Sequence, residues 1–405
     1  MTKQTTGIGA AVPRREDRRF LTGSGEFTDD IKVANVLSAA VLRAPLPHGE
    51  IKTIDISAAL SVPGVHLILT AKDLEGEITG PIPSLSRVPP FDIGRLDGSD
   101  AADAPQYPLA RGRVRYTGEP VAFVVADTFL QAQDAAELIN VDYRPLDAIM
   151  EVDDALSPNA EKIWPDAPGN ISFDWATGDE AATKAAFDAA DHIVGLNLKN
   201  NRVVINFMEP RSAVASFDSD SGRLTLQAGC QSAHGMQASL MELLDVEADK
   251  LHVIAPDTGG GFGARSPVYP EFIVTLIAAR KLSRPVKWTS TRSEAFLTDY
   301  QARDHQFYGE LALNNRGCFL GLRVRADWRH GAYLPGRCIW IMAQYLSQIL
   351  GGTYRMPAAH LYLRGIVTNT TPMAAYRGIG RLEANYILER LIDQAAHELG
   401  LDAVE

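Results

Sequence analysis

The chain has 405 residues, 46% hydrophobic and 22% charged, a composition typical of soluble globular proteins, and it is too long for one ordinary core. A formal net charge of -11, with no basic stripe along the sequence, argues against nucleic acid as the main partner. No apolar run approaches a membrane span, and MTKQTTGIGA at the N-terminus lacks the apolar centre of a secretory signal, so a cytoplasmic protein is expected.

Residues 20–150 mix short strands and helices. VLSAAVLRA (36–44), IKTIDI (51–56), VHLILT (65–70) and VAFVVA (121–126) have the β-branched, apolar character of strands. TFLQAQDAAELI (128–139) has apolar residues at helical spacing, with Thr128 placed as N-cap. Between them, roughly 75–120, lies a loop punctuated by Pro81, Pro83, Pro89, Pro90, Pro105 and Pro108, long enough to suggest a functional or interfacial role. The stretch EVDDALSPNAEKIWPDAPGN (151–170) reads as a linker.

From 171 onward RSAVASFDSDSGRLTLQAG (211–229) predicts a hairpin turning at D-S-D-S-G. QSAHGMQASLMELL is then helical, LHVIAP is a strand, and Pro270 suits the first position of the helix EFIVTLIAARKL. A second hairpin turns at N-N-R-G (314–317). LEANYILERLIDQAAHELG is an amphipathic helix stopped by Gly400, and LDAVE looks like the opening turn of another, with Asp402 as N-cap. This end suggests a chain cut short, or half of a split polypeptide.

Cys230, Cys318 and Cys338 are far apart and form no C-x-x-C, and the histidines have no paired spacing. The sequence therefore encodes no disulfide framework, iron–sulfur site or zinc site of its own. Chemistry must come from elsewhere, and PDTGGGFGARS (256–266) is the first candidate. Glycine lets a ligand approach the main-chain N–H groups. A strand, G-x-G-x-x-A and a helix outline a dinucleotide turn, but no acid occurs between Glu271 and Glu294 and prolines delay the helix. A Walker loop is excluded because G-K-[ST] is absent. A plain structural turn stays open. A second glycine loop, TNTTPMAAYRGIGRLEAN (368–385), again joins an aromatic and an arginine, Tyr376 and Arg377, to G-x-G. Two such loops fit a large planar cofactor gripped from two sides.

Together with RRFLTGSGEFTDDI (18–31), RAPLPHGEIKTID (43–55), GEPVAFVVADT (118–128) and AAELINVDYRPL (135–146), these loops resemble, in order, the molybdopterin-binding large subunit of the xanthine oxidase / aerobic carbon monoxide dehydrogenase family. The resemblance is to that subunit's N-terminal half. It implies an α+β fold: a small α/β hammerhead domain (1–150), a linker (151–170) and the first mixed α/β molybdopterin-binding domain (171–405), with the second absent. It further implies that Gln231 donates to a molybdenum oxygen. The backbone of Phe262 and Gly263, freed by Gly260 and Gly261, would lie against the metal's oxo group, and Tyr376, Arg377 and Gly378 would form the opposite wall. Gln231, Phe262 and Arg377 are the expected catalytic residues, and no side chain ligates the metal.

Where the carbon monoxide-oxidising members carry a copper-bearing cysteine this chain has Gly378, and Ser266 stands where the purine-oxidising members have a glutamate. Nor is there a clear match, around Ala332–Pro335, for their substrate arginine. The resemblance thus implies water-derived hydroxylation of an aldehyde or N-heterocycle carbon, with hydride passing to a molybdenum–sulfido centre. The pterin cofactor would be the cytosine dinucleotide form, with 2Fe–2S clusters and FAD on partner subunits. A glutamate base and most pterin contacts would come from a C-terminal polypeptide, without which the chain should not turn over. Glu209 reads as a structural carboxylate paired with Arg211. The alternatives are an NAD(P)-binding oxidoreductase using the 256–265 loop, and a non-catalytic scaffold of the same fold.

Overall fold

The strand Pro120–Ala126, PVAFVVA, is buried at every position in the computed structural model, which describes residues 7–84, 87–88, 91–336 and 338–404. Pro89, Pro90, the first six residues and Glu405 lie outside the described residues. A strand apolar on both faces needs cover on both. Ala122, Val124 and Ala126 pack with Ala132, Ala135 and Ala136 of the helix Phe129–Glu137, whose Thr128 hydroxyl accepts the N–H of Gln131 at 3.3 Å. Phe123 and Val125 point the other way, into the main core.

That core is built on the helix Pro270–Leu282, buried at every position from 270 to 279, with Pro270 in its first turn. It lies across a seven-stranded sheet ordered Leu251–Ile254, Arg223–Ala228, Ser212–Asp218, Val286–Thr289, Leu37–Arg43, Pro120–Ala126, Val65–Thr70. Strands from the two halves of the sequence are neighbours here. Leu37–Arg43 pairs in parallel with Val286–Thr289, Ala39 opposite Trp288. The same junction buries charge: Arg43 donates to Glu271 (2.7 Å) and Glu294 (2.6 Å), and Arg211 to Glu271 (2.6 Å) and Asp299 (2.5 Å). Burial works against the Glu271 carboxylate, but Arg211 and Arg43 prevail and hold it down at about 2.

A second, five-stranded sheet runs His192–Asn200, His305–Leu313, Phe319–Gly331, Ala359–Val367, Ile171–Gly178, and the long helix Arg381–Leu399 covers its first two strands. Both hairpins turn at the stretches named from sequence: Asp218 pairs with Arg223, and Gly317 N–H donates to the Asn314 carbonyl. Gly400 closes the long helix at φ 67. Beyond it Asp402 accepts the Val404 N–H, but no helix forms among the described residues. The stretch 151–170 contains the short helix Val152–Ala155, and Val152, Ala155, Ile163 and Ala167 pack with Ile366 and Val367. Among the described residues no helix is long and apolar enough to cross a membrane.

Candidate functional site

Arg223–Ala228 and Leu251–Ile254 are adjacent and parallel, so their C-terminal ends open at the same edge of the sheet. Loops that follow parallel strands gather at such an edge. The first strand leads to Gln231, directly before the helix Ala233–Leu244, whose cap Ser232 accepts the Gly235 N–H at 3.1 Å. The second leads to the glycine loop. Gln231 and Gly263 are thereby brought together: the Gly263 N–H donates to Gln231 Oε1 at 2.6 Å, and the Gln231 N–H donates to the Arg265 carbonyl at 3.1 Å.

The glycines here answer to space as well as to φ. A Cβ on Gly261 would fall 2.7–2.9 Å from the Gln231 side chain. On Gly263, at φ +105, it would fall 2.5 Å from the carbonyl oxygen of Ala375 in the second loop. Next door the Arg377 N–H donates to the Phe262 carbonyl at 2.8 Å. The two loops expected to face each other are thus in main-chain contact, with Gln231 at the junction. Phe262 adopts a left-handed φ of 48 and is half exposed. Its ring stacks on Phe207, centroids 6.1 Å apart and 7° from parallel, and the Arg265 guanidinium lies 4.7 Å from the Phe207 ring centre.

Two expectations change. Gly263 does not hold its N–H free for an incoming oxygen; Gln231 takes it. That bond assigns the amide orientation, so Gln231 Nε2 is the donor left over. Glu209 is not paired with Arg211. Its carboxylate accepts the Gly259 N–H (2.7 Å) and the Arg265 guanidinium, which also reaches the Glu209 carbonyl. The acid expected to be structural is structural, but it clamps the glycine loop. The arginine of the first loop, Arg265, was noted in the sequence without its partner and Arg303 was not singled out, because the partners of both lie far away along the chain. Arg303 donates to the Arg377 carbonyl at 2.7 Å and to the Tyr376 carbonyl at 3.2 Å.

A cavity of about 360 Å³ opens against this junction. Gly263, Ala375, Ser232, Ser266 and Cys338 line it, together with Ile82 and Pro83 of the proline loop. Burial pushes the Cys338 thiol up to about 12, so it stays protonated. None of the cavity's lining groups among the described residues is charged. Ile82 and Pro83 also line a wider cleft of about 500 Å³ with Gln106, Asp100, Asp103 and Glu242. A Cβ at Gly378 would meet only Leu382, at 3.3 Å.

The loop does not present a helix end to a pyrophosphate. The helix that follows starts at Pro270, and its first turn carries Glu271, buried between two arginines where an anion would have to sit. Among the described residues no group of three or more histidine, cysteine, aspartate or glutamate side chains could hold a metal. Bare backbone, one spare amide donor and a cradle that a single Cβ would fill suit a cofactor that brings its own metal ligands.

Residues 163–405 match the molybdopterin cofactor-binding domain, and residues 22–147 match the aldehyde oxidase and xanthine dehydrogenase a/b hammerhead domain. Over 98% of its length the chain is 36% identical to the carbon monoxide dehydrogenase large chain of Hydrogenophaga pseudoflava, covering 49% of that protein. It is 33% identical, over 98% of its length, to the nicotine 6-hydroxylase large subunit of Paenarthrobacter nicotinovorans, covering 47% of it. Among solved structures, carbon monoxide dehydrogenase from Oligotropha carboxidovorans superposes with a TM-score of 0.89 at 33% identity, covering 98% of this chain and 49% of that one. Quinoline 2-oxidoreductase from Pseudomonas putida 86 gives 0.87 at 31% identity, with coverage of 98% and 49%. The chain spans about half the length of these relatives. With a hammerhead domain followed by a cofactor-binding domain along one chain, it belongs to the molybdopterin-binding aldehyde oxidase and xanthine dehydrogenase family.

Proposed function

We propose that this chain forms one wall of a molybdenum-hydroxylase active site, and that the assembled protein hydroxylates an uncharged aldehyde or N-heterocycle. The observation that carries the reading is the meeting of Gln231, the Gly261–Gly263 backbone and the Ala375–Gly378 loop beside a cavity with no charged side chain among its described lining. When bound, a molybdenum–pterin group supplies two-electron oxidation of an electron-poor carbon with oxygen from water. Gln231 Nε2 would donate to an oxygen of that group, its carbonyl end being anchored by Gly263. Phe262, fixed by its stack on Phe207, would shield that point from water. Ser232, Ser266 and the protonated Cys338 can orient a neutral substrate, whereas an ionised one would lose hydration without finding a countercharge.

Gly378 offers no thiolate for a second metal, which argues against carbon monoxide as the substrate. The cytosine dinucleotide form of the pterin, 2Fe–2S clusters and FAD on partner subunits, and a C-terminal polypeptide carrying the glutamate base complete the proposed complex. The experiment is expression with and without that C-terminal polypeptide, followed by molybdenum and pterin assay per chain. Stoichiometric cofactor only in the pair is expected. Full loading of this chain alone, or none in the complete complex, would overturn the assignment. Titration with NADH and NADPH should give no fluorescence change. Retained activity after Gln231→Ala in the complex would favour a scaffold instead.

A further inference from the structure

The geometry points to Arg303, braced by Glu383, as the positioning residue that sets the register between the two glycine loops. The inference rests on the reading that those loops wall a cofactor site. Its observations are local and independent of any ligand. Arg303 stands in the left-handed region at φ 72 and is followed by Asp304 at φ 63. Two consecutive non-glycine residues in that region persist only where their surroundings hold them. Asp304 is held by Arg202 (2.7 Å) and Arg329 (2.8 Å). This bend delivers the Arg303 guanidinium, 9% exposed, to the back of the second loop.

There the two arms of the fork do different work. Nη1 donates to the Tyr376 carbonyl at 3.2 Å, and Nη2 to the Arg377 carbonyl at 2.7 Å. The Tyr376 carbonyl and the Arg377 N–H belong to one peptide group, and that N–H donates to the Phe262 carbonyl at 2.8 Å. A single peptide plane is therefore gripped on one side by Arg303 and joined on the other to the first loop. The fully buried Glu383, in the first turn of the helix Arg381–Leu399, reaches Nη1 at 3.4 Å, and the guanidinium lies 4.6 Å from the Tyr376 ring centre. A lysine has no planar fork, and its single nitrogen cannot hold the two carbonyls from two fixed points as Nη1 and Nη2 do. Releasing the Tyr376 carbonyl lets that peptide plane turn and draws the Phe262 carbonyl with it, and releasing the Arg377 carbonyl loosens the peptide that follows. Arg303 touches no reacting atom; it acts through loop position.

The test compares wild type, Arg303→Lys and Glu383→Gln in the assembled protein. Hydrogen exchange in peptides spanning 260–266 and 374–380, molybdenum content, the molybdenum(V) EPR line shape, kcat and KM are read. Arg303→Lys should exchange faster in both segments, keep its metal, alter the EPR line shape and lose on the order of 10- to 100-fold in kcat with KM little changed. Unchanged exchange and kcat, or faster exchange confined to 374–380, would overturn the inference. Should Arg303→Lys fail to fold, Glu383→Gln decides by the same criterion in the same two segments. A wild-type complex without molybdenum would sink the cofactor reading, while the exchange data would still decide the role of Arg303.

Discussion

Replacing Gly263 by alanine separates backbone strain from loop collision. At φ +105 any side chain is strained, which costs about 1–3 kcal/mol. The added Cβ would also sit 2.5 Å from the Ala375 oxygen and 2.9 Å from its carbonyl carbon, both main-chain atoms. Main chain cannot swing aside as a side chain does, so one loop must move by roughly half an ångström to one ångström, enough to cost about 100-fold in rate where reacting groups must align. Two controls isolate that second contribution. Gly222, at φ +68 in the D-S-D-S-G turn, has nothing within 4 Å of its Cβ position, and Gly378, at φ +84, has only Leu382. Gly222→Ala should destabilise by about 1–2 kcal/mol and leave turnover intact. Gly378→Ala should lose a similar amount of stability. Gly263→Ala should lose more stability than either and nearly all turnover, measured by urea unfolding of each variant and steady-state rate in the assembled protein. If it unfolds at the same urea concentration as Gly222→Ala and turns over within about twofold of wild type, the two loops are not locked together.

Burial raises the Glu119 carboxyl to about 7, against the opposing Tyr333 hydroxyl and the Arg115 N–H. The native state then holds a proton that the unfolded chain has released above its ordinary 4.5, so this group's contribution falls by about 3 kcal/mol as pH rises from 4.5 to 7. The other titrating groups are common to both proteins, so the difference in urea unfolding free energy between wild type and Glu119→Gln should fall by that amount between pH 4.5 and 7. His305 and His330, buried, are lowered to about 3 and act the other way. Their contribution is intact above 6.5 and is lost as pH falls toward 3, so His305→Phe, whose ring would fit the stack with Phe307 and Trp328, should blunt acid unfolding. A thiol reagent at pH 8 should label the exposed Cys318 quickly and the buried Cys230 and Cys338 slowly. Equal rates at Cys338 and Cys318 would mean that the cavity wall is open.

What the sequence made legible was local. PVAFVVA, the Thr128 cap, Pro270 at a helix start and the two hairpin turns each carry their signal within a few residues, and each folds as its chemistry dictates. The two glycine loops were legible from their own residues, but Gln231 and the roles of Phe262 and the second loop came from resemblance, because the meeting of Gln231 with the first loop depends on the parallel pairing of Arg223–Ala228 with Leu251–Ile254, for which no short-range pattern exists. The partner of Glu209 was misread for the same reason. Arg211 is two residues away, but beyond Pro210 the chain enters the strand Ser212–Asp218 and carries Arg211 to Glu271 and Asp299, leaving Glu209 at the loop with Arg265. Nor does anything in 151–170 announce that Val152, Ala155 and Ile163 are buried; their apolar side chains are too few and too irregularly spaced to show a period.

The two glycine loops have the same physical need. An irregular backbone close to a site cannot pair its own N–H and C=O groups as a helix or strand does, yet groups left unpaired near the interior are costly. Each loop is met by a buried arginine–glutamate pair that turns its hydrogen-bonding capacity onto the main chain: Glu209 and Arg265 on Gly259 and the Glu209 carbonyl, Arg303 on Tyr376 and Arg377 with Glu383 behind it. As stabilising elements, buried ion pairs are commonly no better than well-packed apolar side chains. Leucine or methionine, however, could not hold a carbonyl or an N–H at a fixed point. The charges therefore sit where loop position matters, which explains why bare glycine backbone here can be both accessible and stiff.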